Sequence, residues 1–169
     1  NIVFLGMMGS GKTSIGLLVS KKLSLKFYDI DKVIEKELEM TISDIFEEKG
    51  EKFFRDFEEK TTLKILKKKG AIIALGGGGF INKKIRQDIL KNHFSFWLNW
   101  NSKTLIQRIQ KNTKRPIAKK LSLGELINLI KKRSIIYSKS MYKINCEQLT
   151  KNEIVNKIIK IYENKKTIS

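Results

Sequence analysis

The segment Ile2–Gly16, IVFLGMMGSGKTSIG, decides how the chain is read. Four apolar residues make a strand-sized run, and a turn holding three glycines follows. Apolar side chains then recur at helical spacing, at Ile15, Leu18, Val19 and Leu23. Within the segment, Gly6-Met7-Met8-Gly9-Ser10-Gly11-Lys12-Thr13 fits the pattern G-x-x-x-x-G-K-[ST] throughout. Glycines let the backbone curl so that successive N–H groups point inward as an anion nest, and the following helix adds the positive end of its dipole. In such a loop Lys12 reaches the β- and γ-phosphates and the Thr13 hydroxyl ligates Mg²⁺. A chance glycine-rich turn is the alternative, but strand before, helix after and full spacing argue for nucleoside triphosphate binding.

Further strand-like runs lie at Lys26–Ile30, Ala71–Leu75, Phe94–Leu98 and, more weakly, Tyr142–Cys146. Helical stripes separate them: Leu105, Ile106 and Ile109; Leu126, Ile127 and Ile130; Ile154, Val155, Ile158, Ile159 and Tyr162. Thr41-Ile42-Ser43-Asp44 reads as a capped helix start, with Ile45 and Phe46 facing inward. Strand–helix alternation implies an α/β fold, a mostly parallel sheet between helical layers, with ligands beyond the carboxyl ends of the strands. No repeat, linker or second domain interrupts residues 1–169, so a single domain is expected. Lys111–Leu121 lacks periodicity and holds the only proline, Pro116; a loop of that kind between two helices reads as a lid.

Composition sets the limits. At 41% hydrophobic the chain is a globular one, and no apolar run approaches the roughly 18 to 20 residues that a membrane span needs. No signal-peptide pattern precedes the first strand, and a single cysteine, Cys146, fits a reducing cytosol, so the expected location is cytoplasmic. The net charge of +18 invites a nucleic-acid reading. However, the 35 basic residues are 30 Lys and 5 Arg, beside 25 Ile, 11 Asn and 3 Ala, a bias that fits drift in an AT-rich genome. The lysines are scattered over every expected helix, which favours solvated faces over a nucleic-acid groove. Against that background each arginine marks a place where a planar fork is needed: Arg55, Arg86, Arg108, Arg115 and Arg133.

Asp29-Ile30-Asp31 ends the second strand-like run, and two carboxylates at i and i+2 on a strand end point the same way. One can hold Mg²⁺ through water and the other can accept a proton from an attacking hydroxyl; a helix N-cap at Asp31 is the alternative. GEKFFRDFE (Gly50–Glu58) opens a long helix, with Arg55 among Phe53, Phe54 and Phe57. Its fork suits a substrate carboxylate, or else a simple pair with Glu58 or Glu59. Arg133 in RSIIY is a similar candidate, and two such arginines converging would bind an acidic substrate. Four glycines, Gly76–Gly79, follow the third run, more than a turn needs, and so suggest close approach of a ligand to bare backbone. Arg115, beside Pro116, can close over the γ-phosphate, and Arg108 can stack on an adenine face. His93 and Cys146 read as structural, and Trp97 and Trp100 as core and rim.

Taken in this order, the motifs resemble the shikimate kinase family from Gly6 to about Tyr137. The matches are the phosphate loop, DIDKVIE (Asp29–Glu35), GEKFFRDFE, the triple glycine Gly76–Gly78, Arg115-Pro116 and RSIIY (Arg133–Tyr137). The resemblance implies a three-layer P-loop kinase fold like that of nucleoside monophosphate kinases, with strand order 2-3-1-4-5. It implies transfer of the ATP γ-phosphoryl group to the 3-hydroxyl of shikimate by a monomer using Mg²⁺, without nucleic acid or membrane partners. By the same resemblance Gly9, Ser10, Gly11, Lys12, Thr13, Ser14, Arg108 and Arg115 bind ATP, and Thr13 and Asp29 place the metal. Asp31, Arg55, Gly77, Gly78 and Arg133 bind shikimate, with a substrate-binding region at about 31–60 and the lid at about 111–121. Lys12, Asp31 and Arg115 form the catalytic set, and Arg86 is left to the surface.

The chain departs from the family pattern at Ile135, where proline is usual, at Leu17, where arginine is common, and at Glu39, where glycine is frequent. The segment Gln148–Lys151 matches the adenine-side loop weakly. The rival readings are a kinase of the same architecture acting on gluconate or a nucleoside monophosphate, and a basic nucleic-acid-binding ATPase.

Overall fold

The strand β1 (Ile2–Leu5) is buried at all four residues, which only a central strand covered on both faces can be. In the computed structural model, which describes residues 1–111 and 121–166, β1 lies between β3 (Ala71–Ala74) and β4 (Phe94–Asn99). Both pair with it in parallel, Val3 standing opposite Ile73 and Ser95. The shorter-reaching edge strands β2 (Lys26–Asp29) and β5 (Tyr142–Asn145) pair with β3 and β4, giving a five-stranded parallel sheet of order β2-β3-β1-β4-β5. The expected order therefore holds.

Alternate residues of β1 feed two cores, as the two-residue strand period requires. Ile2 and Phe4 face the first, where α1 (Lys12–Leu23) and the C-terminal helix, Lys151–Lys166, contribute Ile15, Val19 and Ile158. Gly16 in α1 allows the close packing, since a Cβ there would overlap the Phe27 ring. Val3 and Leu5 face the second core with Ile34, Phe54, Ile89 and Leu105. Those come from α2 (Ile30–Leu38), α4 (Gly50–Leu66), α5 (Lys83–Asn92) and α6 (Ser102–Gln110). The helix α7 (Leu123–Tyr137) adds Leu126, Ile130 and Tyr137 to the same core, and Lys151–Lys166 is numbered α8. Thr41 and Asp44 form a reciprocal capping box on the short α3 (Ile42–Asp44), which runs through a π-helical turn, Ile45–Lys49, into α4.

One expectation about local structure is corrected. Asp29 and Asp31 do not share a strand end: β2 stops at Asp29, whose Oδ1 accepts from the Lys32 N–H at 3.3 Å and so caps α2. Asp31 lies in the first turn of that helix, and the N-cap is Asp29 rather than Asp31. The turn comes early because Ile30, fully buried, belongs to the helix's core face.

Of the segment expected to form a lid, residues 112–120, including Arg115 and Pro116, lie outside the described residues. Among the described residues no helix is long and apolar enough to cross a membrane.

Candidate active site

Because β1 and β3 are neighbours, the loops after them emerge side by side at the carboxyl edge of the sheet. The first is the phosphate loop. Gly9 and Gly11 hold φ of 78° and 88°, and Gly9 also lets α6 approach: a Cβ there would sit 3.3 Å from that of Arg108. No side chain caps the start of α1; its first N–H groups belong to the nest. Lys12 is buried and donates to the carbonyls of Gly6 and Met7, both at 2.9 Å, so its ammonium sits over the loop. Thr13 Oγ1 donates to Asp29 Oδ2 at 2.5 Å. A hydroxyl and a carboxylate thus converge beside the loop from two different elements. Hard oxygen donors of this kind, few in number, fit Mg²⁺ that keeps water and phosphate ligands.

The second loop is the glycine run. A Cβ on Gly76 would lie 2.5 Å from Glu58 Oε1 and 2.6 Å from Asp31 Oδ1; on Gly78 it would overlap the Arg55 guanidinium. At Gly77 it would stand 3.4 Å from Arg133 Nη1 and 3.5 Å from the Met8 nitrogen. Gly76 and Gly78 are therefore crowded by the protein's own Glu58, Asp31 and Arg55, a cause beside the ligand approach expected from the sequence, while a Cβ at Gly77 would meet only ordinary contacts. Asp31, Arg55, Glu58 and Arg133 line one small pocket with Met8, Ile42, Phe46 and Phe54 as its apolar wall. A larger cavity of about 450 Å³ adjoins it and shares Arg55, Glu58, Gly78 and Arg133.

Arg55 is oriented from several sides. Nη1 donates to Glu58 Oε2 at 2.7 Å, Nε and Nη2 donate to Glu51 Oε1 at 3.2 Å, and the guanidinium stands 5.1 Å from the Phe54 ring centre. The helical pair considered from sequence is real, with Glu58 and Glu51 as partners; Glu59 instead accepts from Lys84 and Asn82. Burial works against the Arg55 charge, but the two carboxylates outweigh it and raise its pKa. Glu58 is 3% exposed, and burial lifts its carboxyl above the ordinary range, against the pull of Arg55. Its Oε1 is buried with no hydrogen-bond partner among the described residues.

Arg133 is presented by α7 one turn before Tyr137. The Tyr137 hydroxyl, buried and with its pKa pushed up to about 12 by that burial, donates to the Gly77 carbonyl at 2.5 Å. A neutral phenol thereby fixes the orientation of the Gly77–Gly78 peptide beside the two arginines. On the nucleotide side, Arg108 donates to the Gly9 carbonyl at 3.3 Å and stacks on Trp100, its Cζ 3.7 Å from a ring centre.

Two assignments change in detail. Arg86, left to the surface, is partly buried, and its Nη1 donates to the carbonyls of Phe80 and Ile81 at 3.0 and 2.8 Å. It secures the turn that follows the glycine run. Glu58, expected from the sequence only as an alternative partner of Arg55, and Tyr137, which ends a quoted motif without a role, both shape the pocket. The available signal was their helical spacing, three from Arg55 and four from Arg133. His93 and Cys146 are structural as expected: the imidazole contacts Asp88 and the chain amine, and the thiol is buried.

The family model described as shikimate kinase matches residues 8–163. The shikimate kinase of Thermodesulfovibrio yellowstonii is 42% identical over 164 residues, covering 96% of this chain and 95% of that one. The solved structure of shikimate kinase from Acinetobacter baumannii in complex with shikimate superposes with a TM-score of 0.92 at 28% identity, covering 98% and 94% of the two chains. A gluconokinase from Sinorhizobium meliloti matches with a TM-score of 0.58 at 14% identity, a likeness of fold alone. Over nearly its whole length, in sequence and in fold, this chain belongs to the shikimate kinase family.

Proposed function

We propose that the chain transfers the γ-phosphoryl group of ATP to the 3-hydroxyl of shikimate, giving 3-phosphoshikimate and ADP. The observation that carries this reading is the convergence of Arg55 and Arg133 with Asp31 on one pocket beside the phosphate loop. Two guanidinium forks and the N–H groups of Gly77 and Gly78 suit a carboxylate; Asp31 suits the hydroxyls of the same small molecule. Gly9 to Ser14 hold the phosphates, and Arg108 stacks on the adenine.

In the reaction the 3-hydroxyl oxygen attacks the γ-phosphorus and the bond to the β,γ-bridging oxygen breaks, its electron pair leaving with ADP. Asp31 accepts the hydroxyl proton, and Lys12 neutralises charge on the phosphates. Arg115, outside the described residues, completes the charge stabilisation from the lid at about 111–121. Thr13 and Asp29 would hold Mg²⁺, which when bound would supply charge neutralisation for the phosphates. The rest is positioning, which in phosphoryl transfer is most of the catalysis. In this reading residues 1–169 form one domain, with the substrate-binding region at about 31–60, acting as a monomer in the cytoplasm and without nucleic acid.

ADP release in a coupled assay, run with shikimate, gluconate, AMP, CMP and single-stranded DNA, tests the proposal. Turnover with shikimate alone is expected. Turnover with gluconate or AMP in its absence overturns the reading, and stimulation by DNA favours the ATPase alternative.

A further inference from the structure

We propose that Trp100 is a positioning residue of the nucleotide site, acting through Arg108. The inference rests on Arg108 being the adenine-stacking residue of the reading above. Trp100 directly precedes Asn101, whose side chain accepts from the Thr104 N–H at 2.8 Å and caps α6. It is half-buried and packs against both hydrophobic cores. Two contacts leave its indole little freedom. Nε1 donates to the Ser10 carbonyl of the phosphate loop at 2.9 Å, and the ring face lies 3.7 Å from Arg108 Cζ.

The stack follows from helix geometry. Side chains on α6 lean toward its N-terminus, so Arg108, two turns into the helix, reaches back over the residue just before the cap. The Arg108 Nη1 bond to the Gly9 carbonyl then completes a closed set of contacts: loop to indole, indole to guanidinium, guanidinium to loop. A guanidinium is planar and offers two faces. The indole takes one, and a purine stacks on the other, so that the base is the third layer over Trp100 and Arg108. An arginine held flat in this way loses less side-chain freedom when a base binds than one that must first be ordered. The same indole sets the spacing between the base platform and the phosphate loop, since it touches both. This explains why a rim tryptophan is oriented by its N–H rather than merely packed.

Steady-state kinetics on Trp100→Leu, Trp100→Phe, Arg108→Ala and the Trp100→Leu/Arg108→Ala double variant test the proposal, with melting temperatures measured alongside. Trp100→Leu is expected to raise the KM for ATP about tenfold, and Arg108→Ala by at least as much, while the KM for shikimate stays within about twofold. Trp100→Phe keeps an aromatic face and recovers most of the loss. The double variant is expected to be no worse than Arg108→Ala alone, because Trp100 acts through Arg108. Multiplying effects in the double variant, equal rises in both KM values, or no rise in Trp100→Leu overturn the inference while leaving Arg108 at the base. An unchanged ATP KM in Arg108→Ala overturns the adenine assignment itself and this inference with it.

Discussion

Arg55 and Glu58 form an ion pair of 2.7 Å one turn apart on α4, at the point where a Cβ on Gly78 would overlap the guanidinium. The pair is a device for aiming the fork rather than for stabilising the helix. Exposed i,i+3 pairs contribute only a few tenths of a kcal/mol, whereas this one sits at the mouth of the pocket with the carboxylate buried.

Arg55→Lys keeps the charge and removes the fork. It is expected to raise the shikimate KM by about ten- to a hundredfold, the cost of losing a bidentate charge-assisted contact. The ATP KM should change far less, since the hydrogen bonds of Arg55 run to Glu51 and Glu58 of its own helix. Initial-rate kinetics with each substrate varied in turn check this; equal effects on both constants place the fork elsewhere.

Glu58→Gln separates stability from function. The folded pKa of Glu58 is raised above 4.5 by burial, so the native state binds the proton more tightly than the unfolded chain. Its protonation therefore favours folding below the unfolded pKa, and that stability is lost as pH rises through the folded pKa. The difference in melting temperature between Glu58→Gln and wild type is therefore expected to move in favour of Glu58→Gln as pH rises above about 4.5, because the variant has no buried charge to form. The same variant should raise the shikimate KM, because Arg55 loses the charged partner that orients it. Melting curves from pH 4 to 8, read against KM at neutral pH, check both halves.

Asp29 accepts from both Thr13 Oγ1 and the Lys32 N–H, so one carboxylate joins the first turn of α1 to the start of α2. Asp29→Asn retains an oxygen for the cap but carries no charge toward a cation. The Mg²⁺ concentration giving half-maximal rate is expected to rise about tenfold or more, with little loss of melting temperature. Chelation of the metal should abolish turnover in both proteins. A Mg²⁺ titration of the rate is the measurement.

Much of this was legible in the chain because two strong local signals coincide. The unbroken apolar run Ile2–Leu5 and the fixed spacing of Gly6–Thr13 require no tertiary knowledge, and the strand order follows once the motif's family is in view. Arg55 and Arg133 stood out because lysine occupies most other basic positions. Glu58 did not, since only packing against Gly76 distinguishes it from Glu59 next to it. Asp29 ends its strand as expected, but Asp31 lies in the helix rather than on the strand end, because burial of Ile30, a tertiary fact, decides where the helix begins. Trp100 is invisible for the same reason: its partners, Ser10 and Arg108, come from different elements.

The last prediction concerns a departure from the family pattern. Glu39 caps the C-terminus of α2 with φ of 53° and ψ of 29°, the left-handed conformation that side chains with a Cβ disfavour. Its N–H donates to the Glu35 carbonyl, as a left-handed cap requires, so the backbone geometry is imposed by the helix end rather than by the side chain. Glycine, the residue frequent here in the pattern that the sequence resembles, takes this conformation without penalty. Strain at such a site is about 1 kcal/mol, and the greater freedom of glycine in the unfolded chain returns part of it. Glu39→Gly is therefore expected to stabilise the fold by about 0.5 kcal/mol, a rise of a degree or two in melting temperature. Because the side chain is exposed at the end of α2 and lines neither pocket, KM for both substrates should be unchanged. Thermal or urea unfolding of the two proteins decides it: a fall in stability would mean that the Glu39 side chain contributes more than its backbone costs.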